Sequence, residues 1–175
     1  MIRYSAFYRL LFSLILMLLA ETSFSQGTDS KPVDHWVDSV FNSLTPDERI
    51  AQLLMLRAYS NRDQAYVEEL TTLVEDLKPG GVCFFQGGPV RQAMVTNRLQ
   101  SVSKTPLFVA IDAEWGAGMR LDSIAWFPKP MTLGAINNDS LIYEMGAEIA
   151  RQLKRLGVHM NFAPVADVNN NPLNP

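Results

Sequence analysis

The alternation of short apolar runs with amphipathic segments most constrains how this 175-residue chain can fold. The apolar runs are residues 53–58 (LLMLRA), 82–86 (VCFFQ), 107–112 (LFVAID) and 158–165 (VHMNFAPV). Between them, apolar residues recur at helical spacing. Buried strands joined by helical crossovers are typical of a parallel sheet. The order strand, helix, strand, helix, strand, helix, strand therefore predicts an α/β fold.

Capping residues mark where several helices begin and end. Thr45 is predicted to cap a helix that starts at Pro46, with Glu48 closing a capping box. A second helical pattern is predicted to stop at Pro79-Gly80-Gly81, and the last one at Gly157.

Two parallel-sheet architectures fit this order, a doubly wound open sheet and a TIM (β/α)₈ barrel. A Rossmann-type sheet is expected to carry a G-x-G-x-x-G turn after its first strand, and residues 57–61 contain no glycine. The barrel is therefore the better fit. Because a TIM barrel takes about 250 residues, residues 44–175 are predicted to form about the first half of one, and the length of 175 residues to reflect a truncated barrel.

One interval between strands is unusually long. Predicted strands that start near residues 53, 81, 107 and 158 are 28, 26 and 51 residues apart. The excess follows Asp112 directly, and the loops after strands form the catalytic face of a barrel. The functional site is therefore predicted in residues 112–139.

This long loop combines acidic, basic and aromatic side chains, namely Asp112, Glu114, Trp115, Arg120 and Trp126. Carboxylates accept hydrogen bonds from hydroxyls, arginine donates in a fixed fork, and aromatic rings cover the apolar face of a pyranose. The combination predicts a sugar site. From spacing alone two alternatives stay open, because a strand-end aspartate can form a turn or cap and tryptophans are often core residues.

Composition excludes several other classes of protein. The chain is 47% hydrophobic and 19% charged with a formal net charge of −3, which indicates a packed core rather than a disordered chain or a basic nucleic-acid-binding surface. With Cys83 as the single cysteine and two histidines, neither an internal disulfide nor a structural zinc site is expected. The spacing of Asp112, Glu114 and Asp167 resembles no cation-binding loop. We therefore predict no metal and no cofactor.

The first 25 residues have the pattern of a secretory signal peptide, with Arg3 and Arg9 before an apolar stretch at 10–20 and a small-x-small cleavage site at 23–25. A transmembrane anchor is the alternative, but 11 residues rising about 1.5 Å each do not cross about 30 Å of hydrocarbon. We predict export to the periplasm or the exterior, without a stable membrane anchor after cleavage. Residues 26–43 are predicted to be a lead-in segment.

Further motifs follow in a fixed order from residue 44 onward. They are Gly80-Gly81-Val82 with Phe84-Phe85, residues 106–114 (PLFVAIDAE), Phe127-Pro128, residues 132–135 (TLGA) and residues 157–168 (GVHMNFAPVADV). Together they resemble the N-terminal barrel domain of glycoside hydrolase family 3, and within it the β-N-acetylhexosaminidase branch. The resemblance implies a retaining hydrolase that cleaves terminal β-linked N-acetylhexosamine from a glycoside of cell-wall or glycan origin.

The resemblance also implies roles for individual residues. Asp112 is expected to bind hydroxyls of the sugar, and Arg120, eight residues on, to contribute to the same pocket. Glu114 is expected to support the loop, and Asp167 to be a structural or supporting carboxylate. Trp115 stands where the family usually has glycine, so it is expected to narrow or roof the pocket.

By the same resemblance, the nucleophilic aspartate and the acid/base histidine of a retaining mechanism lie after the fourth strand, beyond Pro175. This chain alone is therefore expected to be inactive. A β-glucosidase-type hydrolase of the same family and a non-catalytic sugar-binding fragment remain as alternatives. His159 in the fourth run is expected to be a satisfied core histidine.

Overall fold

A computed structural model describes residues 31–167 and 170–171 of the chain. Its helices are α1 (Lys31–Ser43), α2 (Pro46–Ala51), α3 (Gln64–Leu77), α4 (Pro89–Val102), α5 (Pro130–Leu133) and α6 (Asp139–Arg155), with a 3₁₀ helix at Ala117–Met119. Its strands are β1 (Met55–Ala58), β2 (Gly81–Phe84), β3 (Phe108–Ile111) and β4 (Met160–Asn161). The predicted signal peptide, residues 1–25, lies outside the described residues. The chain divides into two compact units between Val40 and Phe41, and the second unit contains the sheet.

The sheet is parallel, and its strands lie in the order in which they occur in the sequence, β1-β2-β3-β4. Arg57 lies beside Cys83, Cys83 beside Ala110, and Ala110 beside Met160. A doubly wound sheet reverses its strand order at a switch point, whereas a barrel wall is strictly sequential. The predicted fold class is therefore confirmed, with four strands of a barrel wall and their helices.

The main hydrophobic cluster lies on the helix-covered face of the sheet. Side chains that alternate along the strands, such as Val82, Phe84, Val109 and Ile111, are fully buried against the helices. The helical residues of this cluster are Leu70 and Val74 of α3, Val95 and Leu99 of α4, and Leu153 of α6. The three long helices thus cover the same face, as in the outer ring of a barrel.

The predicted helix starts and stops are confirmed. The Thr45 hydroxyl accepts a hydrogen bond from Glu48 N at 3.2 Å, and the Glu48 carboxylate accepts one from Thr45 N at 2.9 Å. Pro46 begins α2, and Gly157 follows α6 with a φ of 70°. At the end of α3, the non-glycine residue Lys78 takes the left-handed conformation with a φ of 54°.

Two apolar runs are longer than the strands that they contain. Leu53 and Leu54 precede β1 in a turn and are 85% and 47% exposed, so their apolar character does not reflect strand pairing. The run 158–165 contributes only two residues to β4. Pro164 lacks the amide N–H that a longer ladder would need.

The other face of the sheet carries the side chains of the alternate positions. By the strand register, Arg57, Cys83, Ala110 and Met160 form one row across this face. Beyond the carboxyl ends of the strands, the same alternation puts Tyr59, Phe85 and Asp112 on this inner side. No helix within residues 31–167 is long and apolar enough to span a bilayer.

Candidate sugar-binding site

The centre of the candidate site is an ion pair between Asp112 and Arg120. Asp112 directly follows β3, and its Oδ2 accepts a hydrogen bond from Arg120 Nη2 at 2.5 Å. Arg120 Nε also donates to the Asp112 carbonyl oxygen at 2.5 Å. The side chains are 26% and 15% exposed, so both are accessible from solvent while most of their surface is covered. The structure thus brings together the two residues predicted to share a pocket.

The loop after β2 positions Arg120 through its backbone. Gly87 N donates to Arg120 O at 3.0 Å, and Asp122 N donates to Gly87 O at 2.9 Å. These two bonds form a short parallel bridge between the loops that follow β2 and β3. Arg120 N in turn donates to Ala117 O of the 3₁₀ helix at 3.0 Å. The guanidinium therefore projects from a backbone that is anchored on both sides.

This bridge requires glycine at position 87. A Cβ there would lie 1.7 Å from Ser60 Oγ and 2.9 Å from Ser60 Cβ. Ser60 belongs to the loop after β1 and is 4% exposed, and its Oγ accepts from Gly88 N at 3.1 Å. The loops after β1, β2 and β3 are therefore joined in one hydrogen-bonded layer at the carboxyl edge of the sheet.

Within residues 31–167, the aromatic ring in contact with the ion pair is that of Phe85. The Arg120 guanidinium lies over the Phe85 ring, 5.1 Å from its centroid, and the Tyr59 ring is 5.8 Å from that of Phe85. Both follow apolar strands, so their periodicity matches that of core residues and gives no separate signal. Trp126, in contrast, is 74% exposed, and no ring contact with the ion pair is present among the described residues.

Trp115 packs into the loop after β3. It is half-buried, and the Lys129 ammonium lies 5.5 Å from the centroid of its ring. Within residues 31–167, its buried Nε1 has no hydrogen-bond partner. The next residue, Gly116, has a φ of 98°, and a Cβ there would lie 2.8 Å from Phe127 Cδ2. The structure therefore explains why the bulky residue of this Trp-Gly pair stands at 115 and the glycine at 116.

The remaining predicted residues make no hydrogen bond or ion pair with Asp112 or Arg120 within the described part of the chain. Glu114 is half-buried two residues after Asp112, and Asp167 is exposed in the segment after β4. His159 is satisfied, because its Nδ1 accepts from Val109 N at 3.0 Å, but the prediction of a core histidine is wrong. Its side chain is exposed and packs beside the Phe108 ring, with centroids 5.2 Å apart.

Sequence reasoning assigned no role to Asn161, although it lies in the motif 157–168. Its Oδ1 accepts from Ala113 N and its Nδ2 donates to Ala113 O, both at 3.0 Å. Ala113 is fully buried, and Ala113 O also accepts from Gly116 N at 3.0 Å. An asparagine within an apolar strand run is the one signal that could have identified it.

The electrostatics of the inner face favour a neutral thiol beside the pair. Burial, and after it the negative charge of Asp112, raise the pKa of Cys83, while Arg120 acts in the opposite direction. Among the described residues, no three His, Cys, Asp or Glu side chains are grouped as metal ligands would be. Chemically, the arrangement offers a carboxylate acceptor, a guanidinium donor and aromatic faces.

Sequential parallel strands, with a polar site on the loops that follow them, define a TIM-barrel-type domain. Residues 45–175 match the Glycosyl hydrolase family 3 N terminal domain, and the chain belongs to this family.

Similar proteins carry hexosaminidase and glucosidase names. Beta-hexosaminidase A of Pseudoalteromonas piscicida is 35% identical over 120 residues, which cover 61% of this chain and 20% of that protein. The Beta-N-acetylglucosaminidase/beta-glucosidase of Cellulomonas fimi is 28% identical over 140 residues, which cover 80% of this chain and 24% of that protein. The chain thus spans about a fifth to a quarter of the length of these relatives.

A solved structure shares the same arrangement of strands and helices. Beta-glucoside phosphorylase BglX bound to 2FGlc superposes with a TM-score of 0.71 at 28% identity, over 81% of this chain and 25% of that one. A second structure of Beta-glucoside phosphorylase BglX gives a TM-score of 0.67 at 26% identity.

Proposed function

We propose that the protein to which this chain belongs is an exported retaining glycoside hydrolase that removes terminal β-linked N-acetylhexosamine. Membership of glycosyl hydrolase family 3 and the relatives named as beta-hexosaminidases support the reaction class. The amino-terminal sequence pattern supports export. The observation that carries the proposal is the Asp112–Arg120 pair at the carboxyl edge of the sheet.

The pair is suited to binding neighbouring hydroxyls of one sugar ring. Asp112 has one carboxylate oxygen on Arg120, and its other oxygen can accept from a hydroxyl. Arg120 holds its fork in a fixed orientation through two bonds to Asp112 and through the Phe85 ring. A hydroxyl placed between them can donate to the carboxylate and accept from the guanidinium, which is the pattern that vicinal sugar hydroxyls need.

In this proposal the described residues bind the sugar and do not attack it. A retaining glycosidase needs a nucleophile and an acid/base group on opposite sides of the scissile bond, about 5–5.5 Å apart where both are carboxyl groups. Asp112 and Glu114 follow the same strand within one short turn, so they approach a substrate from one side. The 175 residues alone are therefore expected to show no turnover.

A second candidate is an enzyme acting on β-glucosides. It is favoured by the relative named Beta-N-acetylglucosaminidase/beta-glucosidase and by the superposition on a Beta-glucoside phosphorylase. The two candidates differ in the substituent at carbon 2 of the sugar. A phosphorylase would also differ in its acceptor, because it transfers the glycosyl group to inorganic phosphate and a hydrolase transfers it to water.

The test is a substrate comparison with the protein in its natural length. Purified protein is assayed on p-nitrophenyl N-acetyl-β-glucosaminide and p-nitrophenyl β-glucoside, each with and without inorganic phosphate. The proposal predicts a higher kcat/KM for the first substrate, a free sugar as product, and no acceleration by phosphate.

Each other outcome selects a different function. A preference for the glucoside would support the second candidate, and a sugar phosphate as product would identify a phosphorylase. Sugar binding without turnover of either substrate would leave only the sugar-binding module and would contradict the proposed hydrolase.

A further inference from the structure

Side-chain amides clamp β3 at both of its ends. At its start, Gln100 Oε1 accepts from Leu107 N at 2.9 Å and Gln100 Nε2 donates to Leu107 O at 2.8 Å. At its end, Asn161 makes the same two bonds to Ala113, each 3.0 Å long. The clamps are chemically alike, but only the second adjoins Asp112.

The clamp at Ala113 takes over where strand pairing stops. Asn161 is the last residue of β4 and is paired in register with Ile111. A primary amide offers the same donor and acceptor as a peptide group. The Asn161 side chain therefore makes the hydrogen bonds to Ala113 N and O that the backbone of a longer β4 would otherwise make. The chain can leave the sheet after Asn161 without leaving these groups unbonded.

Asp112 is consequently held by its backbone on both sides. Asp112 N donates to Phe84 O at 3.4 Å, and Asp112 O accepts from Arg120 Nε at 2.5 Å. The next residue, Ala113, is fixed by Asn161. Within residues 31–167 Asn161 makes no hydrogen bond to the Asp112 carboxylate, so any influence on that carboxylate passes through the backbone of Ala113.

We propose that Asn161 is a positioning residue that sets the direction of the Asp112 carboxylate, and with it the Asp112–Arg120 pair, toward the sugar. The inference rests on the proposed function, in which this pair binds the sugar. A displacement of about 1 Å at such a site costs about a hundredfold in rate. The Asn161 side chain can prevent such a displacement, because it holds the backbone of Ala113, the residue next to Asp112.

The test is a double-mutant cycle in the protein of natural length, with kcat/KM measured on p-nitrophenyl N-acetyl-β-glucosaminide. Asn161→Ala is expected to lower kcat/KM about tenfold to a hundredfold in the wild-type background. In an Asp112→Ala background the same change is expected to cost about twofold or less, because the group that it positions is gone. The milder Asn161→Ser, which introduces no charge beside Asp112, is expected to give a smaller loss with the same non-additivity.

Gln100→Ala is the matched control, since it removes the equivalent clamp at the far end of β3. It is expected to lower Tm as Asn161→Ala does, but to change kcat/KM about twofold or less when assayed below Tm. Additive losses in the cycle would overturn the positioning role, and so would a loss of kcat/KM in Gln100→Ala equal to that in Asn161→Ala. Neither result would contradict the proposed hydrolase function. If Asn161→Ala does not fold, the cycle with Asn161→Ser decides between the same two results. A wild-type protein without turnover would instead overturn the proposed function, and the inference with it.

Discussion

Asp112 and Arg120 form an ion pair in which each side chain keeps hydrogen-bonding groups that can still bind a ligand. One carboxylate oxygen of Asp112 is bound to Arg120, and the guanidinium is supported from below by the Phe85 ring. Both side chains stay partly open to solvent, at 26% and 15%. A preorganised carboxylate and guanidinium of this kind lose little conformational freedom when a polar ligand arrives.

Replacing Asp112 by alanine should therefore weaken catalysis without unfolding the protein. A hydrogen bond between a charged group and a substrate hydroxyl is worth about 1.5–3 kcal/mol, so Asp112→Ala is expected to lower kcat/KM about 10- to 150-fold. The measurement is steady-state kinetics of the natural-length protein on p-nitrophenyl N-acetyl-β-glucosaminide.

Asp122 provides a matched control within the same loop. It pairs with Arg91 at 2.5 Å, as Asp112 pairs with Arg120, but its side chain is 56% exposed and that of Arg91 52%. Asp122→Ala is expected to leave kcat/KM within about twofold of the wild type, as exposed ion pairs contribute little. Equal losses for Asp112→Ala and Asp122→Ala would remove the special role of Asp112.

Among the elements, the loops at the carboxyl edge of the sheet depend on the close approach of Gly87 to Ser60. Gly87→Ala would insert a Cβ 1.7 Å from Ser60 Oγ, so it is expected to destabilise the protein by about 1–3 kcal/mol, the usual cost of overpacking. Adding Ser60→Gly removes both atoms of the clash and should recover part of this loss. The measurement is the free energy of unfolding from urea titration.

Gly146 provides a control that tests whether destabilisation by a glycine-to-alanine change is specific to the surroundings of Gly87. It lies in α6, and among residues 31–167 no atom apart from the local helix backbone lies within 4 Å of the place where a Cβ would be. The clash at Gly87 therefore has no counterpart there. Gly146→Ala is expected to stabilise the protein by about 1 kcal/mol, because alanine is the better helix former. Destabilisation by Gly146→Ala would contradict the open surroundings of Gly146, and no recovery on adding Ser60→Gly would contradict the packing described for Gly87.

Helix α2 carries a pH-dependent contribution to stability. Hydrogen bonds from Lys104 and Lys78, and then from Thr45 N, lower the pKa of Glu48 from 4.5 to about 2. Because the pKa is lower in the folded state, the stabilisation is fully present above pH 4.5 and is lost as the pH falls toward 2. The difference in Tm between the wild type and Glu48→Gln should therefore be largest near neutral pH and shrink across this window.

The comparison uses Glu75→Gln as its control, an exposed change of the same chemistry on α3. A Tm difference between the wild type and Glu48→Gln that stays constant from neutral pH to pH 2 would show that the ion pairs of Glu48 with Lys78 and Lys104 do not support the fold.

The elements differ in how far their sequence predicts them. Helices α2, α3, α4 and α6 follow from caps and from the 3.6-residue period, because both signals are local. Strand limits do not follow, since pairing depends on the neighbouring strand. Leu53 and Leu54 are apolar but lie outside β1, and β4 ends after two residues, where the Asn161 side chain bonds to the next backbone groups of the neighbouring strand.

For the molecule as a whole, strand order and site location follow from sequence more readily than the composition of the site. The long interval after Asp112 predicts which loop carries the candidate site. The structure brings Asp112 and Arg120, which are predicted to share a pocket, together in an ion pair. Phe85 and Tyr59 are not predicted at the site, because an aromatic residue after a buried strand has the same pattern as a core residue. The role of Asn161 is not predicted because its partner, the backbone of Ala113, lies 48 positions away and carries no sequence signal.

Whether the Asp112–Arg120 pair forms a sugar-binding site is decided most directly by a crystal structure of the natural-length protein with N-acetylglucosamine. We expect sugar hydroxyl oxygens within about 3.2 Å of an Asp112 carboxylate oxygen and of an Arg120 guanidinium nitrogen. A sugar bound in the protein with neither residue in contact would show that the pair is not the sugar-binding site.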